Sequence, residues 1–160
     1  MKCKYFLRHV LTQIFCLSCM IVMGKYVISE NDSVSLTDCT LNDIRNISAL
    51  NLDPLEIVVH ICHLSELSEL PNALFIRFQR LRILEITESG VIGVGDFAFN
   101  GLNDLRILNL QRNNISIVKS WSFQNLDSLH TLDLRRNGIV ELHKFAFVHY
   151  PKLLKLNLAV

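Results

Sequence analysis

The chain has 160 residues, half of them hydrophobic, and its 16 basic and 15 acidic side chains give a formal net charge of +1. This balance lacks the basic excess that nucleic-acid-binding proteins carry, so nucleic acid is excluded as a partner. Beyond the N-terminal segment, no apolar run is long enough to span a membrane.

The N-terminal segment has the features of a secretory signal peptide. A basic stretch precedes an apolar run at residues 10–23, and Val22 and Gly24 are small enough for the −3 and −1 positions of a signal-peptidase site. The run of about 14 residues falls short of the ~20 that cross a bilayer. Residues 1–24 are therefore predicted to be cleaved, and we expect a protein that is secreted or lies on the extracellular face of the plasma membrane.

Residues 25–56 are predicted to form an N-terminal cap region. After the signal peptide the chain has two cysteines, Cys39 and Cys62. Two cysteines in an oxidising compartment suggest one disulfide, which would stabilise the fold by about 3 kcal/mol on the chain-entropy model. Free or metal-bound thiols are the alternative, since His60 and His63 lie close to Cys62, but no second ligand pair has zinc-site spacing.

Three N-x-S sequons agree with a secreted, glycosylated chain. They begin at Asn31, Asn46 and Asn114. Asn114 directly follows an asparagine of the repeat pattern and is expected to project from a turn.

The pattern L-x-x-L-x-L recurs in phase four times in the second half of the chain. A fixed period of roughly 20 to 29 residues indicates a solenoid of stacked strand-and-turn units. The alternation within each strand points its leucines to one side, so the strands are expected to stack in parallel. The 24-residue segments are 81–104, 105–128 and 129–152, followed by a truncated 153–160.

Further columns of the repeat are predicted to be structural. Ser89, Asn113 and Asn137 share a column that suits a buried ladder, because an amide side chain has both donors and acceptors. Two aromatic columns are predicted to fill the convex side of the core. They are Phe97, Trp121 and Phe145, and then Phe99, Phe123 and Phe147.

Residues 57–80 are predicted to be a degenerate first repeat. Strict phase places His60 and Cys62 at the inward strand positions, whereas a shift of one residue places Val59 and Ile61 there. A shift of one residue exchanges the two faces of a strand, and both registers are open.

The motif L-x-x-L-x-L-x-x-N-x-I-x-x-[VL]-x-x-x-x-F-x-x-[LY]-x-x, present twice in residues 105–152, resembles the typical subtype of extracellular leucine-rich repeat proteins. Over about residues 57–160, the resemblance implies an α/β-type solenoid. Its right-handed coil would have a parallel β-sheet on the concave face and irregular or short helical turns on the convex face. The signal peptide and the few cysteines are similar in style to insect secreted or Toll-like receptor ectodomains.

The outward strand positions of this solenoid are the predicted protein-binding surface. Ile83 and Ile107 would supply an apolar stripe, and a cluster of three arginines would pair with acidic groups of a ligand. A solvated sheet face without a partner is the alternative. The predicted binding residues are Ile83, Glu85, Thr87, Glu88, Ile107, Asn109, Gln111, Arg112, Thr131, Asp133, Arg135 and Arg136.

No catalytic, cofactor or metal site is predicted. Gly93 and Gly95 lie in a turn and not at a strand-to-helix phosphate loop, and neither His130 nor Asp133 has a nucleophile placed beside it. We therefore expect a non-enzymatic module that binds a protein ligand or co-receptor in immune recognition, receptor signalling or cell adhesion. A structural extracellular-matrix component is the alternative.

The last segment breaks off directly after its strand. An uncapped parallel edge exposes backbone groups and core leucines. We expect an incomplete chain, or a last strand that a partner covers through homo- or hetero-dimerisation at that edge.

Overall fold

A computed structural model describes the backbone of residues 21–23, 26–28, 33–37 and 58–62, and the residues 68–148 and 150–159 with their side chains. The predicted disulfide, the sequons at Asn31 and Asn46 and most of the predicted signal peptide and cap region lie outside the described residues.

The described chain consists of short strands joined by turns, and it contains no helix. Leucine and β-branched residues at alternate positions favour strands over helices in each repeat. In chain order the strands are β1 (Ile21–Met23), β2 (Tyr26–Ile28), β3 (Ser33–Thr37), β4 (Val58–Cys62), β5 (Glu69–Leu70), β6 (Ile83–Thr87), β7 (Gly93–Val94), β8 (Ile107–Asn109), β9 (Ile117–Val118), β10 (Thr131–Asp133), β11 (Glu141–Leu142) and β12 (Lys155–Asn157).

These strands form two sheets that run along the repeat axis. The main sheet has the order β1-β2-β3-β4-β6-β8-β10-β12, and the second sheet has the order β11-β9-β7-β5. Pairing is parallel from β3 to β12 in the main sheet and throughout the second sheet. The hairpins β1-β2 and β2-β3 are antiparallel. The predicted parallel solenoid is confirmed, with irregular turns between its strands.

The pairing also settles the register of the first repeat. Val59 pairs with Leu84 and Ile61 pairs with Ile86, so the shifted register is the one adopted. Leu70 of β5 follows Val59 by eleven residues, whereas its partner Val94 follows Leu84 by ten. The degenerate repeat therefore has one extra residue between its two strands, which is why the strict 24-residue phase fails there.

The core lies between the two sheets and is built from the repeated columns. Leu84, Leu108 and Leu132 are fully buried. Phe75, Phe99 and Phe123 stack behind them, with ring centroids 5.9 and 5.7 Å apart, and Phe147 packs on the last of these at 6.2 Å. Burial of a side chain of this size contributes roughly 1.5 to 3 kcal/mol.

The prediction that both aromatic columns fill the core is wrong for the first of them. Phe97, Trp121 and Phe145 are 37%, 52% and 54% exposed, whereas Ala98 and Phe99 are fully buried. Residues two apart share a face only in an extended strand. Residues 96–100 form a turn, and Phe97 has a left-handed φ of 56°, so Phe97 and Phe99 point to different sides.

Candidate functional site

In β6 and β8, residues alternate between the core and the outward face of the main sheet. In β6, Leu84 and Ile86 are buried. The alternate residues Ile83, Glu85 and Thr87 are half-buried. β8 repeats the pattern, with Leu108 buried between two partly exposed residues. The register places Thr131 and Asp133 of β10 beside Ile107 and Asn109. The predicted binding residues of these three strands therefore share one face, as expected from the two-residue period of a strand.

The predicted apolar stripe is present but small. Ile83 and Ile107 are direct partners in neighbouring strands, and both are half-buried. The next residue in this column is Thr131, which adds a hydroxyl beside the two isoleucines. The stripe can contribute some buried apolar area to an interface, but it is too narrow to supply most of that area.

A polar column runs beside the stripe, with Glu85, Asn109, Asp133 and Asn157 in register on four successive strands. The oxygen Oδ1 of Asn109 accepts a hydrogen bond from the backbone N–H of Gln111 at 3.1 Å, and Oδ1 of Asp133 accepts one from Arg135 at 3.1 Å. Side-chain oxygens that bond the backbone two residues on stabilise turns, so this column also determines how the chain leaves each strand.

Asp133 is held by several hydrogen bonds from its neighbours on the face. It is 7% exposed, and Arg135 donates to its carboxylate from Nε at 3.0 Å and from Nη2 at 2.7 Å. Asn157 adds a hydrogen bond from Nδ2 at 3.1 Å. Burial raises the pKa of Asp133, but the hydrogen bonds from Arg135 and Asn157 outweigh it and lower the pKa below its ordinary value.

The three arginines of the predicted basic cluster are not equivalent. The guanidinium of Arg112 forms an ion pair with Glu88 of the preceding repeat, or rung, of the solenoid. The guanidinium of Arg135 is paired with Asp133. Arg136 is exposed, and its backbone N–H donates to the oxygen of Ala159 at 2.9 Å. The sequence contained a signal for the first pair, because Glu88 and Arg112 occupy the same column of successive repeats.

These charged residues occupy a fixed turn position. Glu88, Arg112 and Arg136 have φ values of 54°, 57° and 55°, which lie in the left-handed region. Non-glycine residues adopt this conformation infrequently. Its recurrence in three rungs places the three side chains in one row at the end of the strands, so the face has a charged border there.

The sequon asparagine Asn114 is exposed, whereas Ile115 after it is fully buried. Its column neighbours in the adjacent rungs are Gly90 and Gly138, and a Cβ built on either glycine meets no heavy atom within 4 Å. Of the three predicted glycosylation sites, this is the one that the described residues include, and the space beside its two column neighbours is open.

Comparison with known families identifies the repeat. Residues 79–139 match the family model described as leucine rich repeat. This segment, which contains strands β6 to β10, is therefore a run of leucine-rich repeats. A comparison with curated proteins finds no match to the chain. Within the part of the chain that the structure describes, no helix is long and apolar enough to cross a membrane.

Proposed function

We propose that this chain is a secreted or cell-surface binding module that recognises a protein ligand or co-receptor through the outward face of its main sheet. Immune recognition, receptor signalling and cell adhesion are the roles that fit such a module. Leucine-rich repeats commonly mediate protein–protein interaction, and the proposal includes no catalytic activity.

The proposal rests on a difference between the columns of the repeat: the inward columns repeat from rung to rung, and the outward columns vary. The repeated leucines and asparagines are buried and bonded within the fold, for example Leu108 and Asn113. The outward columns change from rung to rung, as in Glu85, Asn109 and Asp133. Variable side chains on a rigid sheet are what selective recognition of another surface requires.

The size of the face limits its affinity. The part of the face that carries these columns is formed by β6, β8, β10 and β12, and strands about 4.8 Å apart give these four a width of roughly 20 Å. It presents about 15 side chains, against the ~20 to 30 of a standard interface. We therefore expect weak binding by this face alone. The proposal includes homo- or hetero-dimerisation at the β12 edge, which would add interface area to this face.

Several finer assignments belong to the same proposal. We assign the repeats to the typical extracellular subtype in a right-handed coil, similar in style to insect secreted or Toll-like receptor ectodomains. Cleavage after Gly24, a Cys39–Cys62 disulfide and glycans at Asn31, Asn46 and Asn114 accompany that assignment. Each is accessible to mass spectrometry of the protein recovered from the culture medium of secreting cells.

A matched pair of charge-reversal variants tests the binding face. The face variant combines Arg112→Glu with Arg136→Glu, and the control variant combines Arg77→Glu with Lys152→Glu, whose positions are exposed but lie outside the main sheet. Arg135 is left unchanged because its reversal would leave the buried carboxylate of Asp133 unpaired. Both variants carry the same change in net charge.

The measurement is proximity labelling of cell-surface and matrix proteins by each variant fused to a peroxidase. We expect the face variant to lose extracellular partners that the wild type and the control variant both label. Equal labelling by all three would reject the main-sheet face as the binding site. Labelling confined to matrix components and unchanged in both variants would favour the alternative, a structural extracellular-matrix component.

A further inference from the structure

The exposed aromatic column, hereafter the aromatic strip, is Phe97, Trp121 and Phe145. The rings of Phe97 and Trp121 stack with centroids 6.2 Å apart and planes 23° apart. The backbone N–H of Phe97 donates to the oxygen of Trp121 at 3.0 Å, which fixes the spacing of the two rungs. Both rungs have neighbours on either side, so exposure of these two rings is a property of the surface and not of the solenoid end.

Charge changes systematically along the strip. The residues directly before the three aromatics are Asp96, Ser120 and Lys144, and the two charged ones are exposed. Lys144 lies over the ring of Phe145, with Nζ 5.3 Å from its centroid. The strip therefore has an acidic end, a neutral centre at Trp121 and a basic end, each one repeat apart.

This order is self-complementary under a two-fold rotation. We propose that the aromatic strip is a dimerisation surface on which a second copy of this chain lies antiparallel. Trp121 then faces Trp121 of the other copy across the axis, and Asp96 of each copy faces Lys144 of the other. A two-fold interface uses the same patch on both subunits, so every contact occurs twice. The parallel arrangement would oppose like charges at both ends.

The area of the strip makes this a weak dimer. A large aromatic side chain has roughly 150 to 250 Å² of surface, so three half-exposed rings offer about 300 Å² per copy, against ~800 Å² for a standard stable interface. Within the same chain, Lys119 interacts with Asp96 through charge, but its Nζ donates its hydrogen bond to Glu69 at 2.8 Å. The carboxylate of Asp96 therefore remains available to a partner. Because the area of the strip is small, the dimer should dissociate on dilution.

A charge swap tests the proposal without disturbing the core. Asp96→Lys and Lys144→Asp each place two like-charge contacts in the dimer, and the double variant restores two opposite-charge contacts. Two exposed pairs at about 0.7 kcal/mol each correspond to a tenfold weaker association constant for either single variant. We expect the double variant to return to within about threefold of the wild-type constant.

Sedimentation equilibrium measures the constants, and Trp121 supplies an independent signal because it is the one tryptophan of the chain. Its emission should shift to shorter wavelength as the protein is concentrated, and Trp121→Ser should remove most of the association. Association constants equal in all three charge variants would overturn the proposal, because dimerisation at the β12 edge does not involve these charges. A protein that stays monomeric at every concentration would also overturn the proposal, whether or not it binds anionic vesicles.

Discussion

The side-chain amide of Asn137 donates a hydrogen bond from Nδ2 to the backbone oxygen of Leu110, which lies one rung away, at 3.0 Å. The same amide donates to the oxygen of Leu134 at 2.8 Å, and its Oδ1 accepts from the N–H of Ile115 at 3.1 Å. One buried side chain thus satisfies backbone groups of two successive rungs. Asn113 repeats the arrangement one rung earlier, with Ile86 and Val91 among its partners.

Asn137→Ala is expected to destabilise the solenoid strongly. The substitution leaves two carbonyls and one N–H without partners in the interior, and each buried unsatisfied group costs ~1 to 3 kcal/mol. A loss of about 2 to 4 kcal/mol in the free energy of unfolding should follow, measured by urea titration. Exposed Asn114 is the matched control, and Asn114→Ala should change stability by less than about 0.5 kcal/mol.

The two aromatic columns offer a second matched pair. Phe99 is fully buried between Phe75 and Phe123, so Phe99→Ala should cost about 3 to 5 kcal/mol through lost contacts and a cavity. Phe97→Ala removes the same group from a partly exposed site and should cost about 1 kcal/mol or less. Equal losses in the two variants, measured by thermal unfolding, would contradict the assignment of only one column to the core.

Most of the scaffold could be predicted from the period of the sequence. Recurrence of Leu at three strand positions, and of Asn at one turn position, specifies which side chains meet because identical rungs stack in register. The prediction was correct for the buried Leu84, Leu108 and Leu132 and for the ladder of Asn113 and Asn137. These predictions required no knowledge of the contacts, because each residue of a column packs against the equivalent residues of the neighbouring repeats.

The features that the sequence did not predict depend on geometry within a single rung. The outward direction of Phe97 follows from its left-handed backbone, which no residue type in that turn indicates. The pairing of Arg135 with Asp133 depends on an arginine folding back across two residues. The register of β4 depends on one inserted residue, which the leucine pattern alone could not locate.

Gly95 is expected to be required by close approach of two rungs. A Cβ built on Gly95 lies 2.6 Å from the backbone oxygen of Leu70, which also accepts the Gly95 N–H hydrogen bond at 2.9 Å. Gly95→Ala should therefore force the rungs apart and cost about 1 to 3 kcal/mol. At Gly138 a Cβ meets no heavy atom within 4 Å, so Gly138→Ala should be neutral or stabilise by up to ~1 kcal/mol. Chemical denaturation of the two variants compares them directly.

Asp133 should make stability depend on pH in the acidic range. Its pKa is lowered in the folded state, so the folded carboxylate stays ionised where the unfolded one begins to take up a proton near its ordinary value of about 3.9. The resulting stabilisation is complete above that value and is lost as the pH falls through the lower folded pKa. In urea titrations from pH 6 to pH 2.5, wild-type stability should fall more steeply below about pH 4 than that of Asp133→Asn.

The exposed Asp104 provides the control for this pH dependence. Asp104→Asn removes one carboxylate but leaves the Asp133–Arg135 pair intact, so the contribution of that pair to the slope should persist. Arg135→Gln should flatten the slope nearly as much as Asp133→Asn, because loss of the guanidinium lets burial raise the pKa of Asp133 towards its ordinary value. A slope unchanged by both Asp133→Asn and Arg135→Gln would show that this pair does not contribute to the stability of the folded state.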